Sequence, residues 1–97
     1  MDTVALFPQI VRRIIKEQEL VIGPLAWDEA KKVPGIEVLD QNKGEVNLQN
    51  GDAREIINNL IAQYERIFGK ASHEVCKEAV QDLIAEMSFD EIPSSLK

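Results

Sequence analysis

Apolar side chains recur along this chain at two different spacings, and the spacing changes where the glycines and prolines fall. Phe7, Ile10, Val11, Ile14 and Ile15 follow the three–four rhythm that gathers side chains on one helical face, with Arg12, Arg13, Lys16 and Glu17 opposite. This predicts a first helix from about Phe7 to Val21. Pro8 is expected in its first turn, where no N–H is needed. Asp2 to Leu6 are expected to form an irregular or 3₁₀ lead-in. Gly23-Pro24 interrupts the pattern, and Pro24 opens a short second helix to about Val33. Asp28 and Glu29 lie toward its start and Lys31 and Lys32 at its end, the order a helix dipole favours.

After Pro34-Gly35 the period becomes two. Ile36 to Leu39 and Glu45 to Gln49 alternate around the turn-forming Asp40-Gln41-Asn42-Lys43-Gly44. This is a β-hairpin with Ile36, Val38, Val46 and Leu48 facing inward. Beyond the Asn50-Gly51 turn, Asp52 and Glu55 form a capping-box pattern at the head of a third helix, about Ala53 to Phe68. Its stripe of Ala53, Ile56, Ile57, Leu60, Ile61, Tyr64, Ile67 and Phe68 is the cleanest in the chain. Gly69 ends it. A continuous fourth helix is expected from about Ala71 to Met87, with Ala71, Val75, Cys76, Ala79, Val80, Leu83, Ile84 and Met87 on its apolar side. Pro93 breaks a last turn, and residues 93–97 are expected to fray. The expected fold is one small, mostly helical α+β domain over 1–97. Its order is helix–helix–β-hairpin–helix–helix, with helical hairpins at about 7–33 and 53–87 and the β-hairpin at 36–49.

A shift of 46 residues lays the first helix on the third without a gap. Ile10/Ile56, Ile15/Ile61, Glu19/Glu65, Gly23/Gly69 and Lys31/Lys77 are identical pairs, and Val11/Ile57, Ile14/Leu60, Val21/Ile67 and Ile22/Phe68 match in character. Self-similarity at a fixed offset marks a duplicated helical hairpin. The alternative is that two amphipathic helices in the same register resemble each other.

Ile22-Gly23-Pro24-Leu25-Ala26, and more loosely Phe68-Gly69-Lys70-Ala71, resemble the Ile-Gly-Pro-x-Ala turn of small helical cassettes appended to bacterial signalling proteins, including serine/threonine kinases and response regulators. Leu60 to Leu96, with Ile92-Pro93 near its end, is similar to the tail of such cassettes. The second turn departs from the pattern, with Lys70 in place of the proline, and the hairpin has no counterpart in it. The resemblance implies a regulatory or protein-interaction module and supplies no catalytic residue.

Composition narrows the function further. Seventeen acidic against eleven basic residues leave a net charge of −6, which disfavours phosphate backbones and anionic lipid. The half ending at Gln49 carries eight acids against six bases, so even the most basic region is not basic overall. A winged-helix-like nucleic-acid-binding regulator is the alternative reading, because helix two followed by a hairpin has the right order. However, Asp28 and Glu29 stand at the end that would approach bases. No apolar run is long enough to span a membrane, and Asp2, Arg12 and Arg13 do not fit a signal peptide, so a cytoplasmic location is expected.

Candidate chemistry is sparse. His73 and Cys76 are one turn apart, but one His and one Cys fall short of the four ligands of a structural zinc site. Cys76 is expected in the core and His73 on the surface. The acidic pairs Glu17/Glu19, Asp28-Glu29 and Asp90-Glu91 are explained by helix starts and polar faces, and the five glycines are scattered singly at turns. No catalytic residue, cofactor or metal is therefore expected, and the chain reads as non-enzymatic. Trp27, the one tryptophan, either packs on helix one or the hairpin or anchors an interface. Helix one is apolar on more than one side, and the hairpin has an unpaired edge. Trp27, Phe7, Ile10, Ile14 and Val46 are thus the candidate interface residues, for a two-fold homodimer or an unidentified protein partner. A low-salt mobility-shift titration is expected to show no DNA complex at micromolar protein. A salt-sensitive complex that needs Arg12, Arg13 or Lys32 would favour the nucleic-acid reading instead.

Overall fold

The first helix, α1 (Thr3–Ile22), is the longest element and the one around which the others assemble. The computed structural model describes residues 3–49 and 51–97, so expectations resting on Asp2 and Asn50 lie outside the described residues. Leu6, Ile10, Ile14 and Gln18 form one buried i, i+4 row on α1, and Val11 and Ile15 begin a second beside it. The expected lead-in is helical from Thr3, and Pro8 lies inside the helix rather than in its first turn. Leu6 supplies the reason. It continues the Ile10 row one turn upstream, and its burial stabilises by about 2 kcal/mol, offsetting the hydrogen bond that Pro8 cannot donate.

Gly23, at φ 75°, turns the chain into α2 (Leu25–Lys31), which buries Ala26, Trp27, Glu29 and Ala30. Strands β1 (Ile36–Asp40) and β2 (Glu45–Leu48) pair antiparallel, Ile36 opposite Leu48 and Val38 opposite Val46, with an irregularity between Val38 and Asp40. As expected, Ile36, Val38, Val46 and Leu48 face inward, β2 over α1 and β1 over α2. The hairpin turn presses on α1: Gly44, at φ 71°, takes the left-handed backbone that favours glycine, and a Cβ there would lie 2.5 Å from Lys16 Cε and push that side chain aside.

Helix α3 (Ala53–Phe68) starts at Asp52, whose Oδ1 accepts the Arg54 N–H at 2.9 Å. Of the predicted stripe it buries Ile56, Ile57, Leu60, Ile61 and Tyr64, while Ala53 and Phe68 are half-buried and Ile67 is exposed because the helix runs past the core there. Gly69 then leads into α4 (Lys70–Ala79). The expected continuous fourth helix is broken at Val80 (φ −122°, ψ 11°), and a separate turn, α5 (Gln81–Ile84), follows. Arg13 of α1 takes up the carbonyl that the break frees. Its Nη1 donates to the Ala79 carbonyl at 3.1 Å, and its guanidinium pairs with both oxygens of Asp82. The inward face of α4 is also offset from the expected one. Ser72, Cys76 and Val80 are buried, whereas Ala71 is exposed and Val75 half-buried. Arg13 meets Ala79 while Gln18 meets Ser72, so α4 runs antiparallel to α1.

The C-terminal residues do not fray. Single 3₁₀ turns form at Phe89–Glu91 and Ser94–Leu96, and Pro93 and Leu96 are buried. The Ser95 N–H donates to Asn58 Oδ1 at 3.0 Å, and Arg54 Nη1 donates to the Asp90 carbonyl at 3.1 Å, both tying the tail to α3. Urea unfolding should show Leu60→Ala costing about 2–5 kcal/mol, because a fully buried side chain leaves a cavity, and Leu39→Ala costing under about 0.5 kcal/mol. A cost at Leu60 as small as that at Leu39 would mean that the α3 stripe is not the core.

Candidate functional site

Two polar side chains lie in the centre of the apolar interior, one from each long helix. Gln18 of α1 is fully buried; its Nε2 donates to the Ser72 carbonyl at 2.9 Å and approaches Cys76 Sγ at 3.3 Å. Tyr64 of α3 is also fully buried and donates its hydroxyl to the Ala26 carbonyl at 2.7 Å. Burial pushes the Tyr64 phenol well above its usual range and pushes the Cys76 thiol up to about 11. A protonated, enclosed thiol is a poor nucleophile, so Cys76 serves as packing, as its place on the stripe implied.

Each long helix also ends in a glutamate that meets a ring of the next helix. Trp27 Nε1 donates to Glu19 Oε2 at 2.8 Å, and His73 Nδ1 lies 2.7 Å from Glu65 Oε2. The other ring nitrogen of His73 lies 2.6 Å from the Ser95 carbonyl oxygen. Glutamate, histidine and serine thus come together beside a cleft of about 260 Å³ lined by Ile61, Ala62, Glu65, Arg66 and Ser95. Yet Nε2 faces the main-chain carbonyl of Ser95, an acceptor that holds no proton for a base to take. The grouping pins the tail to α3 and α4. Sequence reasoning missed this role, because His73, Glu65 and Ser95 converge only after the tail folds back.

Glu29 is buried on α2. It accepts from Gln63 Nε2 at 2.7 Å and Lys32 Nζ at 3.1 Å, and these bonds, Gln63's first, hold its carboxyl below the usual range. Beside it is an open cleft of about 330 Å³ lined by Lys32, Val33, Pro34, Asn59, Ala62, Gln63 and Arg66, a set with no nucleophile–base pair.

The structure separates the five candidate interface residues. Trp27, Ile10 and Ile14 are fully buried within the chain and so are not available as surface anchors; Phe7 and Val46 are half-buried. Helix one is apolar on several sides because α2, α3, α4 and β2 all pack on it, which corrects the expectation that a second molecule must cover it. The exposed apolar side chains lie elsewhere, chiefly where the two glycine turns fall. Leu20 is 80% exposed, Val21 65%, Leu25 44% and Ile67 45%, with Ile22 and Phe68 half-buried among them. Gln18 reaches Ser72 and Tyr64 reaches Ala26, so both turns lie at the same end of the fold. Exposed charges flank the turns: Glu17 and Asp28 near the first, Arg66 and Lys70 at the second with Glu74 beyond them.

Among the described residues, no group of three or more His, Cys, Asp or Glu side chains is placed to hold a metal ion, and no helix is long and apolar enough to cross a membrane. No protein-family model, curated protein or solved structure matches the chain.

The Arg13 hydrogen bond holds the Asp82 carboxyl below its usual range, as Arg54 does that of Asp52. A carboxyl with a lower pKa in the folded state stabilises the fold above its unfolded value, about 3.9 for Asp. That contribution disappears as pH falls through the folded value. Circular dichroism during acid titration should therefore show the Asp82→Asn variant losing less stability below about pH 4 than the wild type does. Identical acid profiles would mean that the Arg13–Asp82 pair has no share in acid unfolding.

Proposed function

We propose that this chain is a non-enzymatic protein-interaction module that pairs with a second copy of itself through the end carrying the two glycine turns. The observation that carries this reading is the exposure of Leu20, Val21, Leu25 and Ile67 at that end; among the described residues only two other large apolar side chains, Leu39 and Phe89, are comparably exposed, and these lie apart from the turns. Contiguous exposed apolar side chains are the usual mark of an association surface. Charge favours a second copy as the occupant. In a two-fold pair, the first turn of one copy meets the second turn of the other, and the reverse contact forms by symmetry. Glu17 and Asp28 then oppose Arg66 and Lys70 of the partner around an apolar centre. The resemblance of Ile22-Gly23-Pro24-Leu25-Ala26 to the turn of signalling cassettes supports a regulatory setting in the cytoplasm, and the net charge of −6 favours protein over nucleic acid as partner.

Static light scattering at micromolar concentration is the test. The wild type should give about twice the chain mass, and Leu20→Glu with Val21→Glu should give the monomer mass with unchanged helical content. Arg66→Asp should weaken the pair, and adding Asp28→Arg should restore it. A wild type that stays monomeric from high concentration through a hundredfold dilution would overturn self-pairing.

A further inference from the structure

The two halves of the chain touch each other reciprocally. Adding 46 to a residue number in the first half gives its counterpart in the second. Gln18 donates to the Ser72 carbonyl; Tyr64, the counterpart of Gln18, donates to the carbonyl of Ala26, the counterpart of Ser72. A contact from i to j repeated as j to i is the property of a two-fold, isologous interface. The same offset holds inside each half. Gly23 N donates to the Glu19 carbonyl and Gly69 N to the Glu65 carbonyl, both at 2.8 Å. Ala26 N reaches the Gly23 carbonyl at 3.0 Å and Ser72 N the Gly69 carbonyl at 3.1 Å. Trp27 and its counterpart His73 place ring nitrogens on Glu19 and Glu65, which are counterparts as well. Two amphipathic helices in the same register would share apolar rows by chance. They would not share a contact between halves in which the roles are exchanged.

We infer that the chain is a two-fold dimer joined into one polypeptide. The face of α1 and α2 is a docking surface whose partner is a second copy of the same helix–glycine–helix unit, and α3 and α4 are that copy. This inference concerns contacts within one molecule and does not depend on the pairing proposed above. The halves have diverged where they meet: Gln18 against Tyr64, and Ala30 against Cys76. Gln18 approaches Cys76, and the counterpart of Cys76, the smaller Ala30, is buried in the same core as the larger Tyr64 ring. Gln18 also carries a polar atom too many: its Oε1 is buried without a partner, whereas the single polar atom of Tyr64 is bonded. The segments that follow each unit have diverged most. The hairpin lies on α1, and the Ser94–Leu96 turn lies on α3.

The test exchanges the diverged residues between halves of the full chain. Gln18→Tyr with Cys76→Ala copies the second half's set onto the first crossing, and Tyr64→Gln with Ala30→Cys does the reverse. Each pair alone should lower the thermal midpoint by about 5 °C or more, because it leaves two rings or two amides at the seam. All four together should recover at least half of the combined loss. A fourfold variant that loses as much as the two pairs summed, or that fails to fold, overturns the inference. A second arrangement opens the chain at Asn50 and joins Lys97 to Met1, so that the second unit precedes the first. It should fold with the wild-type helical content and a midpoint within about 5 °C, and an unfolded product would also overturn the inference.

Discussion

Helix α1 is apolar around more of its circumference than one neighbouring helix can cover, and the rest of the fold answers that constraint. Its Leu6–Ile10–Ile14 row and its Val11–Ile15 row are both fully buried. In a chain of 97 residues, covering both takes nearly everything else: α2, α3, α4 and one strand of the hairpin. The order of elements then follows. Each long helix needs a sharp glycine turn so that a shorter helix can fold back, and each needs a cover from the segment after that.

Apolar rows alone would let the two halves slide along each other. The buried hydrogen bonds at Gln18 and Tyr64 set the register, because a slip of one turn would strand an amide and a phenol in a dry interior. Arg13 does similar work at the margin. It accepts the consequence of the break at Val80 by bonding the freed Ala79 carbonyl, and so ties the end of α4 to the middle of α1. A long helix with cationic side chains only on its outer face would read as solvated there, yet one of those cations closes the far end of the bundle.

What could be read from residue order was whatever depends on local spacing. The apolar stripe of α3, the inward faces of the hairpin, the glycine turns and the burial of Cys76 all follow from periodicity and turn chemistry. The 46-residue offset was visible for the same reason. What escaped depends on partners distant in sequence. The carbonyl freed by the break at Val80 is met by Arg13, the tail is held by Asn58 and His73, and helix one is covered by α3 and α4. Trp27 shows the limit well. Packing on helix one was one of its two legible fates, but not the glutamate eight residues earlier that receives its N–H and draws the ring inside. The exposed side chains at the turns escaped for the opposite reason: Leu20, Val21 and Ile67 continue helical apolar patterns past the point where the core ends.

The single cysteine gives the seam a chemical clock. Cys76 is fully enclosed between Gln18 and the body of α4, and burial pushes its thiol up to about 11. At neutral pH a closed molecule therefore presents almost no thiolate and no path to the sulfur. Alkylation must wait until α4 lifts from α1, so its rate is the reactivity of the free thiol scaled by the population of the open form, and becomes the opening rate itself once labelling outpaces reclosing. With no second cysteine to compete, the uptake of one label per molecule reports on the parting of the two halves alone.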